Sequence, residues 1–600
     1  MSAPAHPSPP PKPANFLRNL IERELQDGVY AQRHWGGTPG DGAHHAVGPV
    51  DPAAVRLRFP PEPNGYLHIG HAKSICLNFG LAGDFGGVCH LRFDDTNPEK
   101  EEQEYVDAII EMVHWLGWSW DGHLYYASDY FDHMYRAAEH LIEAGLAYVD
   151  EQSAEDMRAH RGDFNMPGRD SPWRARSVAD NLLRFREMRT GLHADGAMVL
   201  RAKIDMASPN INLRDPTLYR IKRAHHHNTG VAWCIYPMYA FAHPIEDALE
   251  NITHSICTLE FEDQRPWYDW LLDQLASPVT LADGSVRPGL LNRPLPKQHE
   301  FGRLNLSYVV TSKRKLRALV DEKIVDGWDD PRLPTLVGMR RRGYTAAAVR
   351  KLAEDTGASK TNIWVDYSVL DIALRDDLET RAPRAMAVID PIPLKLGNWA
   401  ELFGAEHIEP CSAPLLPQQA ASGQRSFGLS AEVWIEREDF AEVPPKGFQR
   451  LFPGNKVRLK YGMVIECSGC EKDAAGRVTS VLANVVADSK SGTPGADAVK
   501  VKGTITWVSR HDAVAATLQL FDRLFTEPQP EAGGRDFRET INPHSKRVVS
   551  GFVEPSLAAV PPDRHFQFER HGYFVTDRVQ HRAEAPVFNR ITGLKDGWGK

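Results

Sequence analysis

The stretch from Val55 to Phe93 limits the possible folds of this chain more than any other part of the sequence. Apolar and basic residues alternate over 55–59, and the run stops at two prolines, which indicates a strand with an abrupt end. A helical pattern over 70–81 and a second apolar strand over 88–93 follow. A strand, a helix and a strand in this order form a βαβ unit, whose strands pair in parallel and whose connection is right-handed in nearly all proteins. The sequence therefore predicts an α/β fold built on a parallel sheet.

Several polar side chains fall where such a sheet binds its ligands, beyond the carboxyl ends of the strands. Arg58, the loop after it and the pair Asp94–Asp95 lie at that edge. His68 and His71 are three residues apart at the start of the predicted helix, so they share one face. A helix N-terminus offers free N–H groups and partial positive charge, and two imidazole donors make it suitable for a polyphosphate. Alone, a His-x-x-His pair also fits a surface or metal pair, and its position after a strand favours the phosphate interpretation.

Composition excludes some classes of protein and leaves others open. The chain has 70 basic and 79 acidic residues, a net charge of −9, which does not favour non-specific coating of nucleic acid but permits local basic grooves. No apolar run approaches the ~20 residues of a membrane helix. The seven cysteines are dispersed, which predicts free thiols in a reducing compartment, the cytoplasm.

The sequence predicts no metal site. Cys467 and Cys470 have the spacing of zinc ligands, but no second pair accompanies them. The run His225–His227 is expected on the surface.

Further motifs give the chain a family resemblance. Residues 59–66, Phe-Pro-Pro-Glu-Pro-Asn-Gly-Tyr, and His68-Ile-Gly-His71 resemble the first signature of class I aminoacyl-tRNA synthetases in the form of the glutamine-specific members. Residues 310–314, Val-Thr-Ser-Lys-Arg, resemble the second, lysine-containing signature, with Thr311 where methionine is usual. The similarity runs from about Phe16 to the C-terminus and includes residues 91–98, 234–239, 253–261 and 327–332. The glutamate-specific members are the nearest alternative.

The resemblance implies a domain organisation, and the helix and strand patterns of the sequence agree with it. A disordered, proline-rich tail is expected over residues 1–14. A mainly helical pattern runs from about 313 to 382, and short strands with Gly, Pro and Asp between them dominate after Pro383. The implied domains are a Rossmann-type catalytic domain in two halves, 15–128 and 239–300; an inserted acceptor-stem-binding domain, 129–238; a helical subdomain with the second signature, 301–382; and two anticodon-binding β-barrels, 383–600.

The resemblance also implies site residues. The catalytic residues would be His68, His71, Ser312 and Lys313. Those that bind ATP would be Glu62, Pro63, Asn64, His68, Ile69, Gly70, His71, Ala72, Lys73, Ser74, Thr258, Arg303, Leu304, Thr311, Ser312 and Lys313. Those that bind glutamine would be Arg58, Asp94, Tyr239, Cys257 and Gln298. Those that contact tRNA would be Asp263, Arg384, Arg450, Lys460, Gln567 and Arg570.

The expected activity is ATP-dependent joining of L-glutamine to tRNA(Gln) through an adenylate, with Mg²⁺ screening the phosphates and the chain acting as a monomer. Cys257 is small and neutral, whereas recognition of the glutamate carboxylate would favour a cation at this position. The neutral residue therefore favours glutamine as the substrate. Arg58 and Asp94 could instead form a structural ion pair. Ala240, where the family usually has aspartate, and Lys460, where it has arginine, are departures from the pattern. A glutamate-specific or non-discriminating enzyme, a silent tRNA-binding paralogue and a nucleotidyltransferase without RNA remain alternatives.

Overall fold

The structure of the chain is a computed structural model that describes residues 15–99 and 101–595. The tail expected over residues 1–14 lies outside the described residues. The chain forms two compact units. The first contains the described residues up to Asn305 together with Ala353–Trp364, and the second contains Leu306–Leu352 and the described residues from Val365 onward.

The elements up to Asn305 alternate between helices and short strands. The helices are α1 (Phe16–Gln26), α2 (Gly42–Ala46), α3 (Ile69–Asp84), α4 (Gln103–Trp115), α5 (Phe131–Glu143), α6 (Ala154–Arg161), α7 (Val178–Thr190), α8 (Tyr239–Leu249) and α9 (Arg265–Leu275). The strands are β1 (Arg56–Phe59), β2 (Val88–Phe93), β3 (Leu124–Tyr126), β4 (Ala147–Asp150), β5 (Val199–Ala202), β6 (Thr217–Ile221), β7 (Ile235–Pro237), β8 (His254–Thr258), β9 (Val279–Thr280), β10 (Val286–Arg287) and β11 (Lys297–Phe301).

A parallel sheet forms the centre of this unit. Strands β1, β2 and β3 pair in parallel in that order, and β8 pairs in parallel with β11. Backbone hydrogen bonding from Thr253, next to β8, to Arg56 at 2.9 Å joins the two groups. Gly87 permits the tight entry into β2, because a Cβ there would lie 2.2 Å from the carbonyl oxygen of Val55. The predicted α/β fold with a parallel sheet is confirmed.

Two element boundaries in the first unit differ from those that the apolar periodicity indicates. Helix α3 runs from Ile69 because His68 caps it, one residue before the predicted start. The apolar stretch over 233–239 contains only the short strand β7, and Tyr239 already begins α8. Between β4 and β7 the segment forms an antiparallel four-stranded sheet in the order β4-β5-β6-β7.

The remaining elements begin with β12 (Leu304–Leu306) and are helical up to residue 381. The helices are α10 (Lys313–Asp321), α11 (Leu336–Arg342), α12 (Ala346–Thr356) and α13 (Tyr367–Arg381), with strand β13 (Ile363–Val365) between the last two. Helix α14 (Trp399–Phe403) lies among the strands that follow: β14 (Arg384–Ala385), β15 (Ala387–Val388), β16 (Pro391–Leu396), β17 (Glu409–Pro414), β18 (Gln424–Leu429), β19 (Glu432–Glu436), β20 (Lys456–Leu459), β21 (Val464–Lys472), β22 (Val478–Val485), β23 (Gly503–Ile505), β24 (Trp507–Ser509), β25 (Val514–Phe521), β26 (Lys546–Val553), β27 (His565–Phe568), β28 (Gly572–Thr576) and β29 (Val587–Thr592).

These later strands build two seven-stranded sheets. One has the order β23-β20-β21-β22-β16-β19-β24 and the other β14-β27-β28-β29-β25-β26-β15. Each encloses its own apolar cluster, around Trp399 and Trp507 in the first sheet and around Phe568 and Phe588 in the second. The two nearly closed sheets confirm the expected β-barrels. None of the described helices combines the length and apolar character that a membrane span requires.

Charged side chains occupy a place in the first unit where parallel sheets are normally apolar. Arg92 on β2 is fully buried and pairs with three carboxylates of α8 and its end: Glu246 at 2.9 Å, Asp247 at 2.8 Å and Glu250 at 3.1 Å. Burial alone raises the pKa of Asp247, but Arg58 and neighbouring cations outweigh it, so that this pKa lies below its usual range. The ion pairs hold α8 against the sheet.

We predict that Arg92→Met destabilises the first unit by about 3–5 kcal/mol, because it leaves three buried carboxylates without their shared cation. Thermal unfolding followed by tryptophan fluorescence should show a transition lowered by several degrees. Arg136→Met is the matched control, since Arg136 is half exposed and its ion pair with Asp41 is long, at 3.5 Å. Equal melting temperatures for the two variants would contradict the importance of the buried pairs.

Candidate active site

The first turn of α3 is capped by its own two histidines. The Nδ1 atom of His68 accepts a hydrogen bond from the backbone N–H of Gly70 at 3.1 Å, and Nδ1 of His71 accepts one from the backbone N–H of His68 at 3.1 Å. The ring centroids lie 3.9 Å apart. Gly70 is required by this arrangement, because a Cβ there would lie 2.9 Å from Cε1 of His68. The cap holds the two rings side by side.

These hydrogen bonds determine which nitrogen of each ring carries the proton. Loss of hydration, with the charge of Arg303, lowers the pKa of His71 to about 4, and the pKa of His68 is also lowered, by burial and by His71. Both rings are therefore neutral at pH 7. Since each Nδ1 accepts a backbone N–H, each Nε2 bears the proton. The helix end presents two neutral N–H donors.

Lys73 lies one turn further along α3 and is buried. Its Nζ has no hydrogen-bond partner among the described residues and lies 5.9 Å from the ring centroid of Phe301. Burial lowers the pKa of Lys73 to about 8. An ammonium group placed in this way gains most from an anionic ligand.

The other residues of the expected ATP set in this unit surround the same turn and the neighbouring strands. Ile69 and Ala72 are buried and anchor α3, and Leu304 is buried. Most of the other residues of this set are hydrogen-bonded to protein groups nearby. Asn64 donates to the Glu62 carboxylate, the Pro63 carbonyl accepts the N–H of Glu102, and the Ser74 carbonyl accepts from Asn78. Thr258 donates to Glu260 at 2.7 Å, and Arg303 forms an ion pair with the same carboxylate.

The second predicted signature lies in the other unit. Ser312 is the N-cap residue of α10, and Lys313 is its first helical residue. Ser312 accepts through its carbonyl from the backbone N–H of Lys315 at 3.0 Å. Thr311 precedes the cap, in the position where the family has methionine.

Asp94 follows β2 and is 2% exposed. Its Oδ1 accepts from the hydroxyl of Thr96 at 3.3 Å, while Oδ2 has no hydrogen-bond partner in the described part of the chain. Burial, together with the neighbouring carboxylate of Glu62, raises the pKa of Asp94 to about 7. A buried carboxylate with an unused oxygen is suited to a ligand that carries an ammonium group.

Arg58, on β1, is fully buried. Its guanidinium donates to Asp247 at 2.9 Å, to the hydroxyl of Ser255 at 2.7 Å and to the carbonyl of Ile256 at 2.8 Å. The ion pair between Arg58 and Asp94 that the sequence left open does not form, because Arg58 pairs with Asp247 instead. Most donors of Arg58 are thereby engaged within the protein.

The residues expected around the amino-acid side chain come together on β8, β11 and α8. The amide nitrogen of Gln298 donates to the carbonyl of Phe261 at 3.0 Å and to Glu300 at 2.8 Å, which leaves its oxygen for donors such as His243 or a ligand N–H. Burial raises the pKa of the Cys257 thiol to about 12, so it stays neutral. Tyr239 stacks on His243, with ring centroids 5.4 Å apart. Burial lowers the pKa of His243 to about 3, so none of these side chains is positively charged at pH 7.

The five residues expected at the anticodon lie in one cluster of the second unit. Arg384 and Gln567 are register partners on β14 and β27. Arg450 and Arg570 share the carboxylate of Asp439, at 3.2 and 2.7 Å. Lys460 pairs with Glu569, and burial, with the charges of three arginines that include Arg384 and Arg570, lowers the pKa of Lys460.

Asp263 belongs to the first unit. It is exposed at the end of a 3-10 helix, where its carbonyl accepts from Asn210 and Asn212.

One expectation was wrong. His226, taken with its neighbours as surface, is fully buried, and His227 is 13% exposed, whereas His225 is exposed. The reason is that Asp95 and Glu101, distant in sequence, draw both rings inward.

Sequence reasoning also missed Glu246, Asp247 and Glu300. The sequence did contain a signal for them. Two buried parallel strands carry basic residues at alternating positions: Arg56 and Arg58 on β1, and His90 and Arg92 on β2. Because buried charges need partners, this pattern indicates that carboxylates are buried beside the sheet.

Three family descriptions match the chain. Residues 54–380 match the family described as "tRNA synthetases class I (E and Q), catalytic domain". Residues 382–486 and 504–577 match two families that are both described as "tRNA synthetases class I (E and Q), anti-codon binding domain". The chain is 59% identical over 591 residues to a glutamine–tRNA ligase of Ralstonia nicotianae, covering 98% of each chain. It is 60% identical over 597 residues to that of Bordetella bronchiseptica, covering 99% of each, and 58% identical over 607 residues to that of Cupriavidus metallidurans, covering 100% of each.

We predict that the affinity for ATP, the expected ligand of this helix end, falls as the pH rises through about 8, because Lys73 then loses its proton. The apparent Kd should rise by up to about tenfold per pH unit above that value. Calorimetric titration between pH 7 and 9.5 measures it. Lys73→Met should bind more weakly at pH 7 and lack this slope. A slope that persists in the variant would assign the effect to another group.

Proposed function

Because this chain belongs to the class I tRNA synthetases of the glutamate and glutamine type, we propose that it joins L-glutamine to the 3′ end of tRNA(Gln) at the expense of ATP. The glutamine carboxylate attacks the α-phosphorus of ATP, a phosphorus–oxygen bond forms, and the bond to pyrophosphate breaks. A ribose hydroxyl of the terminal tRNA nucleotide then attacks the activated carbonyl and releases AMP.

The observation that carries the proposal is the capped histidine pair of α3. Its two Nε2–H donors point away from the backbone groups that hold them, and the unpartnered ammonium of Lys73 lies on the same helix. Fixed donors at a helix N-terminus stabilise the charge that develops on phosphate oxygens, since they need no reorganisation as the reaction proceeds. We assign His68 and His71 to the phosphates and Lys313 to the departing pyrophosphate.

The amino-acid pocket favours glutamine over glutamate. We assign the α-ammonium group to Asp94, whose unused oxygen and raised pKa indicate that a cation is missing there. The amide oxygen of Gln298 can accept an N–H that glutamine has and glutamate lacks, and neutral Cys257 offers a carboxylate no compensation. Arg58 acts mainly by holding Asp247 and β8 in place.

We assign tRNA recognition to two places. Asp263 would face the acceptor end, and the cluster of Arg384, Arg450, Lys460, Gln567 and Arg570 would bind the anticodon bases. Splayed single-stranded bases suit planar guanidinium and amide groups, which recognise base edges and stack. Lys460 lacks the planar fork of arginine, so its contact is weaker.

Mg²⁺ would arrive with ATP, bound to its phosphates. Glu62 is the one carboxylate of the assigned ATP residues, and Asn64 already donates to it, so these side chains suit phosphate oxygens better than a dedicated magnesium site. The ion neutralises phosphate charge. We further propose that the chain acts as a monomer. We also propose that it works in the cytoplasm, because its seven cysteines are free, as a reducing compartment would keep them.

The decisive experiment compares charging of one tRNA(Gln) transcript with glutamine and with glutamate. We expect kcat/KM for glutamine to exceed that for glutamate by at least about 100-fold, because glutamate leaves a buried acceptor unpaired. Comparable values would indicate a non-discriminating enzyme, and a preference for glutamate would indicate the sister activity. Absence of ATP–pyrophosphate exchange in the presence of tRNA would indicate a silent tRNA-binding protein.

We predict that Lys313→Ala lowers the rate of adenylate formation by about 10²–10³-fold with a small change in KM for glutamine, because it removes a donor to developing charge. ATP–pyrophosphate exchange with tRNA present measures the rate. Lys315→Ala is the matched control, because Lys315 lies in the same helical turn and pairs with Glu531. Similar losses in both variants would assign the effect to the fold of α10.

A further inference from the structure

A compact group of ligand-type side chains lies next to Asp94 and has no place in the reaction described above. It contains Asp95, Glu101, His226 and His227, whose nearest nitrogen and oxygen atoms all lie within 4.8 Å of one another. It is the one such group of three or more His, Cys, Asp or Glu side chains found over residues 15–99 and 101–595. Three of its members have side chains at most 3% exposed, and His227 is 13% exposed.

The hydrogen bonds around His226 show that this residue is not a ligand. Its Nδ1 accepts two backbone N–H groups, from Asn228 at 3.1 Å and Thr229 at 3.2 Å. Because backbone N–H groups can only donate, Nδ1 must keep its lone pair, and Nε2 carries the proton of the neutral ring. That N–H donates to the carbonyl oxygen of Asp95 at 2.6 Å. His226 therefore holds the backbone of the group in place.

The other three residues retain the atoms that a cation needs. Nε2 of His227 donates a hydrogen bond to Oδ2 of Asp95 at 2.9 Å and lies 3.7 Å from Oε2 of Glu101. In a tetrahedral site with bonds of about 2.0–2.2 Å, neighbouring ligand atoms are about 3.4 Å apart, so the 3.7 Å pair is close to that separation and the hydrogen-bonded pair has to move apart by about 0.5 Å. Because a carboxylate oxygen only accepts, His227 donates through Nε2 in the metal-free protein, and Nδ1 has no hydrogen-bond partner among the described residues, so the other tautomer can present Nε2 to an ion.

Glu101 provides a second, independent observation. Its side chain is 3% exposed, and Oε2 has no hydrogen-bond partner in the described chain although it faces both imidazoles. Its other oxygen accepts the backbone N–H of Asn97 at 2.8 Å, which keeps Oε2 aimed into the group.

We propose that Asp95 Oδ2, Glu101 Oε2 and His227 Nε2 bind one divalent transition-metal ion, with Zn²⁺ as the ion that fits best. One imidazole and two carboxylates form a ligand set that Zn²⁺ accepts readily, and a water or a further protein oxygen completes four-coordination. The ion would balance the two adjacent buried carboxylates of Asp95 and Glu101.

The position of the site indicates what the ion stabilises. Asp95 follows β2 and is adjacent to Asp94, and its carboxylate also accepts from Ser128 and Asn228. Glu101 lies in the loop before α4, and His227 lies in the segment between β6 and β7. The ion would tie three chain segments together beside the carboxylate that we assign to the glutamine ammonium group.

The test uses the full chain, stripped of metal with a chelator and titrated with Zn²⁺ by calorimetry, with bound metal counted by elemental analysis. We expect one equivalent, and binding at least about tenfold weaker in both Glu101→Gln and His227→Asn. Glu101→Gln replaces an unpartnered carboxylate by a neutral isostere, so it should fold. Zn²⁺ should also raise the melting temperature of the unaltered chain and not that of Glu101→Gln.

Two controls locate the binding. Glu99→Gln removes an exposed carboxylate of the same loop, which pairs with Lys222, and should bind Zn²⁺ as the unaltered chain does. Cys470→Ser should also bind normally, since the cysteine pair is not part of the site. The proposal is overturned if the unaltered chain binds no equivalent, if Glu101→Gln and His227→Asn keep full affinity, or if Cys470→Ser alone abolishes binding.

Discussion

Buried ion pairs between β1, β2 and α8 are the constraint on which the active-site edge depends. Arg58 and Arg92 project from parallel strands that would ordinarily be apolar, and Asp247 accepts from both, at 2.9 and 2.8 Å. Their desolvation is costly, so each cation must meet its carboxylate with accurate geometry. That requirement fixes α8 beneath the sheet. Tyr239 at the start of α8 and Asp94 at the end of β2 are thereby held at one edge.

Two buried ionisable side chains near this edge lack partners of opposite charge. Lys73 is a buried cation with no partner among the described residues, and Asp94 is a buried acid with an unused oxygen. Burial moves both pKa values towards neutrality, to about 8 and about 7. A phosphate for the first and an ammonium group for the second restore the missing charges. The free protein is therefore preorganised for an anionic nucleotide and an amino acid, the two small substrates that we propose.

Short-range patterns predicted much of this arrangement. The βαβ unit, the strand ends that carry Arg58 and Asp94, and the helix that begins at the histidine pair all follow from periodicity and from proline or glycine positions. The helix start required knowing that His68 caps its own helix. Tyr239, just after the short strand β7, begins α8. The buried face of the sheet was signalled by alternating basic residues, although their partners could not be identified from sequence.

The sequence by itself determined the fold class, the helix end that carries His68 and His71, and the neutral side chain at position 257, because each depends on residues within one or two elements. Only the tertiary structure decided that Arg58 pairs with Asp247, 189 residues away, and that His226 and His227 turn inward to Asp95 and Glu101. Such pairs form because buried charges require partners, and nothing in a linear sequence states which distant carboxylate folding will bring within reach.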